Sequence, residues 1–171
     1  GRTGTMFACE QAEIVPDIVT LSKALTGGTM ALAATIARPH VFEAFLSDNP
    51  EHALMHGPTF MANALACACA NASLDLFETE PRLEQVAAIN TQLERCRTLP
   101  GVKDVRVLGA IGVVELEKIA NPDALRQRFI AENVWIRPFR SIVYLTPAFT
   151  IPPEDLTALT DAIYRVLSTG N

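Results

Sequence analysis

The chain has 171 residues, 49% of them hydrophobic and 19% charged, a balance that supports a packed core in one domain or two small lobes and excludes a disordered or solvating segment. With 19 acidic and 14 basic side chains the net charge is −5, and no basic block occurs, which excludes the electrostatic footprint of a nucleic-acid partner. Apolar runs such as 31–37 fall far short of the ~20 residues of a spanning helix, and no stretch has a signal-peptide layout, so no membrane partner is expected.

The opening Gly1-Arg2-Thr3-Gly4 is turn-like and reads as the middle of a longer chain. After Pro16-Asp17, the run Ile18-Val19-Thr20-Leu21 reads as a buried strand from its length and β-branched content, stopping at Ser22-Lys23. Gly27-Gly28 turns the chain into a second strand over about Met30 to Ala37. Pro39 to Leu46 is expected to be helical, with a polar loop from Ser47 to His52. The alanine-rich run from Asn63 to Glu78 suits a closely packed, buried helix that Pro81 ends. Leu83, Val86, Ile89, Leu93 and Cys96 then recur at three- and four-residue steps, the stripe of a half-buried helix that stops before Pro100-Gly101, where the lobe boundary is expected. Strands follow at Val102–Val107 and Ala110–Glu115, then a helix from Asn121-Pro122, strands at Val134–Phe139 and Ile142–Leu145, and a last helix from about Pro153 to Leu167. This second lobe reads as an α+β layer with helices on one face of the strands.

Few residues stand out as chemistry. Lys23 is the only lysine in the first 102 residues, placed where a strand meets a glycine turn. Either its stem carries the amine to solvent, or the amine is kept for Schiff-base chemistry with a carbonyl cofactor. Arg137 lies among Trp135, Ile136, Pro138 and Phe139; it is either a clamp on a substrate carboxylate or a strand-edge arginine paired with a local glutamate. A two-residue turn at Arg140-Ser141 would pair Phe139 with Ile142 and set Arg137 opposite Tyr144 on the same face, which makes Tyr144 a candidate pocket residue. His52 with His56, and Cys67 with Cys69, are poor metal sites: the two cysteines point to nearly opposite sides of a helix, and His52 sits in a polar loop. The four cysteines, Cys9, Cys67, Cys69 and Cys96, are sparse and lie in apolar contexts, which reads as reduced buried thiols in the cytoplasm.

The string Pro16-Asp17-Ile18-Val19-Thr20-Leu21-Ser22-Lys23-Ala24-Leu25-Thr26-Gly27-Gly28, with Gly1-Arg2-Thr3-Gly4 upstream, resembles the pyridoxal-phosphate lysine motif of class III aminotransferases. Thr26-Gly27-Gly28-Thr29-Met30 and His56-Gly57-Pro58-Thr59-Phe60-Met61 narrow the resemblance to the branch acting in biotin synthesis. It continues through Leu108-Gly109-Ala110-Ile111-Gly112-Val113-Val114-Glu115 and Trp135-Ile136-Arg137-Pro138-Phe139. The resemblance implies an α/β fold, the carboxy-terminal part of a type I pyridoxal-phosphate (PLP) transferase. Residues 1–100 would belong to the large cofactor domain and 101–171 would form the small α+β domain. It implies Lys23 as the catalytic, cofactor-holding residue. Pro58 and Thr59 would meet the cofactor phosphate across a homodimer interface, Gly57 would admit substrate close to the backbone, and Arg137 would hold a substrate carboxylate. From the residues alone, the Gly57-Pro58 string is equally a turn into the Asn63 helix. The implied substrates are S-adenosylmethionine and 8-amino-7-oxononanoate; the alternatives are an ornithine- or 4-aminobutyrate-type enzyme, or an inactive folded fragment. The family's ring-binding aspartate and first phosphate loop would precede Gly1, so the chain alone is expected to be inactive. Family members usually carry glycine and proline where this chain has Ala62 and Ala64.

Overall fold

The computed structural model describes residues 1–168. Contacts divide the chain into two compact units, one made of residues 13–81 and the other of residues 1–12 together with 82 onward. We call them the lysine unit and the sheet unit.

In the lysine unit, β1 (Ile18–Leu21) pairs antiparallel with β2 (Ala34–Ala37), Ile18 opposite Ala37 and Leu21 opposite Ala34. β1 forms where its β-branched residues predict, but it is not buried: Ile18 is 53% exposed and only alternate residues are half-covered. β2 is shorter than the expected Met30–Ala37 because the turn before it occupies its first carbonyls. The Thr26 hydroxyl donates to the Met30 carbonyl at 2.5 Å and the Ser22 hydroxyl to the Leu32 carbonyl at 3.2 Å. α2 (Pro39–Glu43) begins on a proline and ends before the expected Leu46, where the Phe45 and Leu46 amides tighten onto Phe42 and Glu43. α3 (Ala64–Thr79) starts at Asn63, whose side-chain oxygen accepts from the Ala66 amide at 3.0 Å. Only Ala66 and Ala70 of α3 are buried, and Leu65 is 63% exposed. The expectation of a wholly buried helix therefore fails: the small residues serve one face, which packs on the turn carrying Lys23.

The sheet unit has three antiparallel strands in the order β3 (Asp104–Leu108), β4 (Ile111–Glu115), β5 (Ile142–Leu145). Val105 faces Val114 and Val114 faces Val143, so these residues share one face with Gly112 and Leu145. That face is buried under helices. α4 (Arg82–Glu94) contributes Val86, Ile89 and Leu93, and Cys96 follows in a short 3₁₀ turn. α5 (Pro122–Ala131), capped by Asn121, adds Leu125 and Phe129; α6 (Pro153–Ser168) adds Leu156, Ile163, Val166 and Leu167. Gly112 is needed for close packing, since a Cβ there would lie 3.0 Å from a Leu93 methyl. Because the α4 stripe joins this core, the units divide at Pro81, ahead of the Pro100-Gly101 position expected from the breakers.

The opposite face mixes Leu108, Ile111, Val113, Ile142 and Tyr144 with a charged cluster at one end. Glu115 accepts from Lys103 at 2.8 Å and from Arg106 at 2.7 Å, and Arg106 also meets Asp104 at 2.5 Å. Residues 1–12 bind to the end of this sheet. The Ala110 amide donates to the Arg2 carbonyl at 2.9 Å, and Arg2 Nη1 donates to the carbonyls of Ala110 and Pro147 at 3.2 and 2.6 Å. The Arg2 guanidinium also lies 4.6 Å from the Phe149 ring centre. Gly109, at φ 55°, is pressed so closely that a Cβ would come within 2.4 to 2.6 Å of Thr3 and its neighbours Arg2 and Gly4. Among the described residues no helix is long and apolar enough to cross a membrane.

Candidate active site

Lys23 opens the 3₁₀ turn Lys23–Thr26 that follows β1, and Gly27 closes it in the left-handed region at φ 61°. The turn is held from three directions. The Leu25 amide donates to the Ser22 carbonyl at 2.9 Å, buried Thr26 binds Met30, and the Ser73 hydroxyl of α3 donates to the Ala24 carbonyl at 3.2 Å. Lys23 itself takes φ 39°, a conformation that L side chains rarely adopt and that a well-anchored turn can impose. Its side chain is exposed beside an open hollow of about 600 Å³ lined by Ser22, Gly28, Met30 and Leu32. The amine thus projects from an exposed ribbon, not from the buried strand expected.

Gly57, Pro58 and Thr59 belong to the same unit and lie in an exposed segment without regular structure. The Met61 amide donates to the Pro58 carbonyl at 3.0 Å, which makes a turn that delivers the chain to the Asn63 cap. Ala62 occupies φ 56° there. The string is thus a turn into α3, with Thr59 exposed within it.

Arg137 and Tyr144 lie in the sheet unit and line one cavity of about 340 Å³ with Trp135, Ile136, Pro147 and Leu159. The expected strand over Val134–Phe139 does not form. Only Phe139 bridges to Ile142, by two hydrogen bonds of 2.9 Å around the Arg140-Ser141 turn, with Arg140 at φ 53°. Before that bridge the chain is an extended arm that sinks Ile136 and Pro138 into the unit and leaves Trp135 and Arg137 outside. Pro138 fixes its own φ and offers no N–H, so it lends nothing to a ladder. Among the described residues no carboxylate pairs with Arg137, so the arginine bonded to a local glutamate is not what this arm contains. Trp135 escaped the sequence reading as a lining residue; the two-residue spacing to Arg137 on an extended arm was the available signal.

Other reactive groups have structural surroundings. All four cysteines are free; Cys96 alone is fully buried, the other three being half-covered, and burial pushes its thiol above the ordinary range, away from nucleophilic use. Among the described residues no three His, Cys, Asp or Glu side chains gather as a metal site.

The family model for class III aminotransferases matches residues 1–167. Adenosylmethionine-8-amino-7-oxononanoate aminotransferase of Buchnera aphidicola subsp. Acyrthosiphon pisum (strain APS) is 44% identical over 98% of this chain and 40% of its own length. The solved structure of the enzyme of that name from Methanocaldococcus jannaschii is 29% identical, with a TM-score of 0.84 over 100% of this chain and 44% of that one. Ornithine aminotransferase from Toxoplasma gondii, described with partial occupancy of PLP at its active site, is 26% identical, with a TM-score of 0.83 over 98% of this chain and 40% of that one. The chain therefore spans about 40% of the length of the curated relatives it matches. Its fold is that of the end of a large α/β domain followed by a small α+β domain.

Proposed function

The chain belongs to the class III aminotransferase family, and from that premise we propose that the whole protein moves an amino group from S-adenosylmethionine to 8-amino-7-oxononanoate, giving 7,8-diaminononanoate for biotin synthesis. One observation carries this reading: identity of 44% over nearly the whole chain to relatives bearing that enzyme's name. In this reading the large and small domains meet near α4, whose buried stripe joins the core of the sheet unit.

PLP is the proposed cofactor, and the donor set suits it. Lys23 offers a primary amine on an anchored, open turn whose own hydroxyls, Ser22 and Thr26, are already engaged with backbone carbonyls. When bound, the cofactor supplies an aldehyde and a conjugated ring that takes up the electron pair left by a departing proton. The Lys23 amine then serves as the base that removes and returns the proton at the substrate carbon. Thr59 would hold the phosphate across a homodimer interface through its hydroxyl and amide, Pro58, which has no N–H to donate, would lie against it and fix the turn, and Gly57, without a side chain, would let substrate lie against the backbone. Arg137 clamps the carboxylate of the amino-oxo acid and the Tyr144 ring walls the same cavity. Free cysteines and the absence of any basic block support a cytoplasmic protein without nucleic-acid or membrane partners.

The experiment is to give the full-length protein each amino donor in turn with 8-amino-7-oxononanoate. Amino transfer from S-adenosylmethionine is expected; transfer from ornithine or 4-aminobutyrate with none from S-adenosylmethionine would replace this reading with another class III activity.

A further inference from the structure

The arm before β5 alternates: Ile136 and Pro138 are buried, while Trp135, Arg137 and Phe139 face outward. Two residues of extended chain set Trp135 and Arg137 ~6.6 Å apart on one side, the reach of several methylene groups. The three outward groups are not equivalent. Phe139, 52% exposed, has the Arg140 guanidinium 5.5 Å from its ring centre and lies outside the cavity that Arg137 and Tyr144 share, whereas Trp135 is 71% exposed on the wall of that cavity. Leu145, Pro147 and Leu159 continue the apolar lining. An uncovered indole beside a guanidinium that meets no carboxylate among the described residues matches a ligand that is charged at one end and aliphatic along its length.

We propose that Trp135 is a specificity-determining residue, whose indole carries the methylene chain of the acid that Arg137 holds by its carboxylate. The site thereby selects long-chain aliphatic acids over short ones. The proposal rests on the reading of Arg137 as the carboxylate clamp, and it adds the part of the substrate that the clamp does not see. Arginine fixes one end whatever the length of the chain, so Arg137 alone cannot tell pentanoate from nonanoate. Each methylene laid on an apolar wall adds a factor of roughly two to four in affinity.

The test is calorimetric binding of pentanoate, heptanoate and nonanoate to the full-length, cofactor-loaded protein and to Trp135→Ala, Trp135→Phe and Arg137→Ala. For the unsubstituted protein nonanoate is expected to bind roughly 15- to 250-fold more tightly than pentanoate, four methylenes at that factor. Trp135→Ala should bring the ratio below about threefold and Trp135→Phe should restore most of it, while Arg137→Ala should weaken all three acids by a similar factor. If Trp135→Ala does not fold, Trp135→Gln, equally polar-tolerant at an exposed position, takes its place with the same expected ratio. An unchanged ratio in the alanine or glutamine variant, with all three acids weakened by Arg137→Ala, overturns the role of Trp135 and leaves the clamp standing. Binding of all three acids indifferent to Arg137→Ala overturns the clamp, and the proposal with it.

Discussion

Lys23 holds a backbone conformation that costs a non-glycine residue on the order of 1 kcal/mol, and its neighbours Ser22, Thr26 and Ser73 hold the turn that imposes it. In the full-length protein Lys23→Ala is expected to abolish amino transfer and the visible absorbance of bound cofactor, because alanine has neither amine nor base; normal turnover and spectrum would remove Lys23 from the site. Arg137→Ala should raise KM for 8-amino-7-oxononanoate roughly 10- to 150-fold, the loss of about 1.5–3 kcal/mol for a hydrogen bond to a charged group. An unchanged KM would count against the clamp. Ala62 stands at φ 56°, a conformation glycine adopts without penalty, so Ala62→Gly should raise stability by roughly 1 kcal/mol in denaturant unfolding. The lysine and the arginine were legible as exceptions among apolar neighbours. Trp135 was not, because an indole in an apolar string reads as core until the backbone shows which way it points.

Elements were most legible where a local signal and the tertiary packing agree. α3, α5 and α6 begin at Asn63, at Asn121 and on Pro153, as capping chemistry predicts, and β4 and β5 lie within a residue of their expected spans. They were least legible where a side chain outside the pattern intervened: Thr26 and Ser22 shorten β2, and Pro138 with buried Ile136 turns an apolar, strand-like string into an unladdered arm. Burial was overread in β1 and α3 because apolar composition cannot say how much surface a neighbour covers. In the charged cluster on the outer face of the sheet, the hydrogen bonds from Lys103 and Arg106 hold the Glu115 carboxyl below its ordinary range, and the bond to Glu115 holds the Lys103 amine above its own. The stabilisation from Glu115 is complete above the ordinary glutamate pKa and is lost as pH falls through the lowered value; that from Lys103 is complete below the ordinary lysine pKa and is lost as pH rises through the raised one. Unfolding free energy should therefore fall with acid below about pH 4.3, and Glu115→Gln should flatten that slope in urea titrations across the range. An identical acid slope in the variant would show that the network contributes nothing to folding.

Across the whole molecule, apolar burial is unevenly shared. The continuous core of the sheet unit runs from Val86 to Leu167, whereas the lysine unit buries only Ala66 and Ala70 among its apolar side chains. Hydrogen exchange of the 171-residue chain should find amides of α4, β4 and α6 protected to the level of global unfolding and those of β1, β2 and α2 exchanging much faster; equal protection would contradict this division. Resemblance made the large-scale fold legible, whereas the α4 stripe declares that it will be buried without declaring which unit will bury it. The attachment of residues 1–12 to the sheet unit also imposes an order in time. Arg2 hydrogen-bonds to Ala110, 108 residues later in the chain. At about 5–20 residues per second of synthesis, this segment waits roughly 5 to 20 s after leaving the ribosome before the turn that Gly109 keeps open for it exists. Throughout that interval the entire lysine unit emerges between the two halves of its neighbour, so of the two units the better-packed one is completed second.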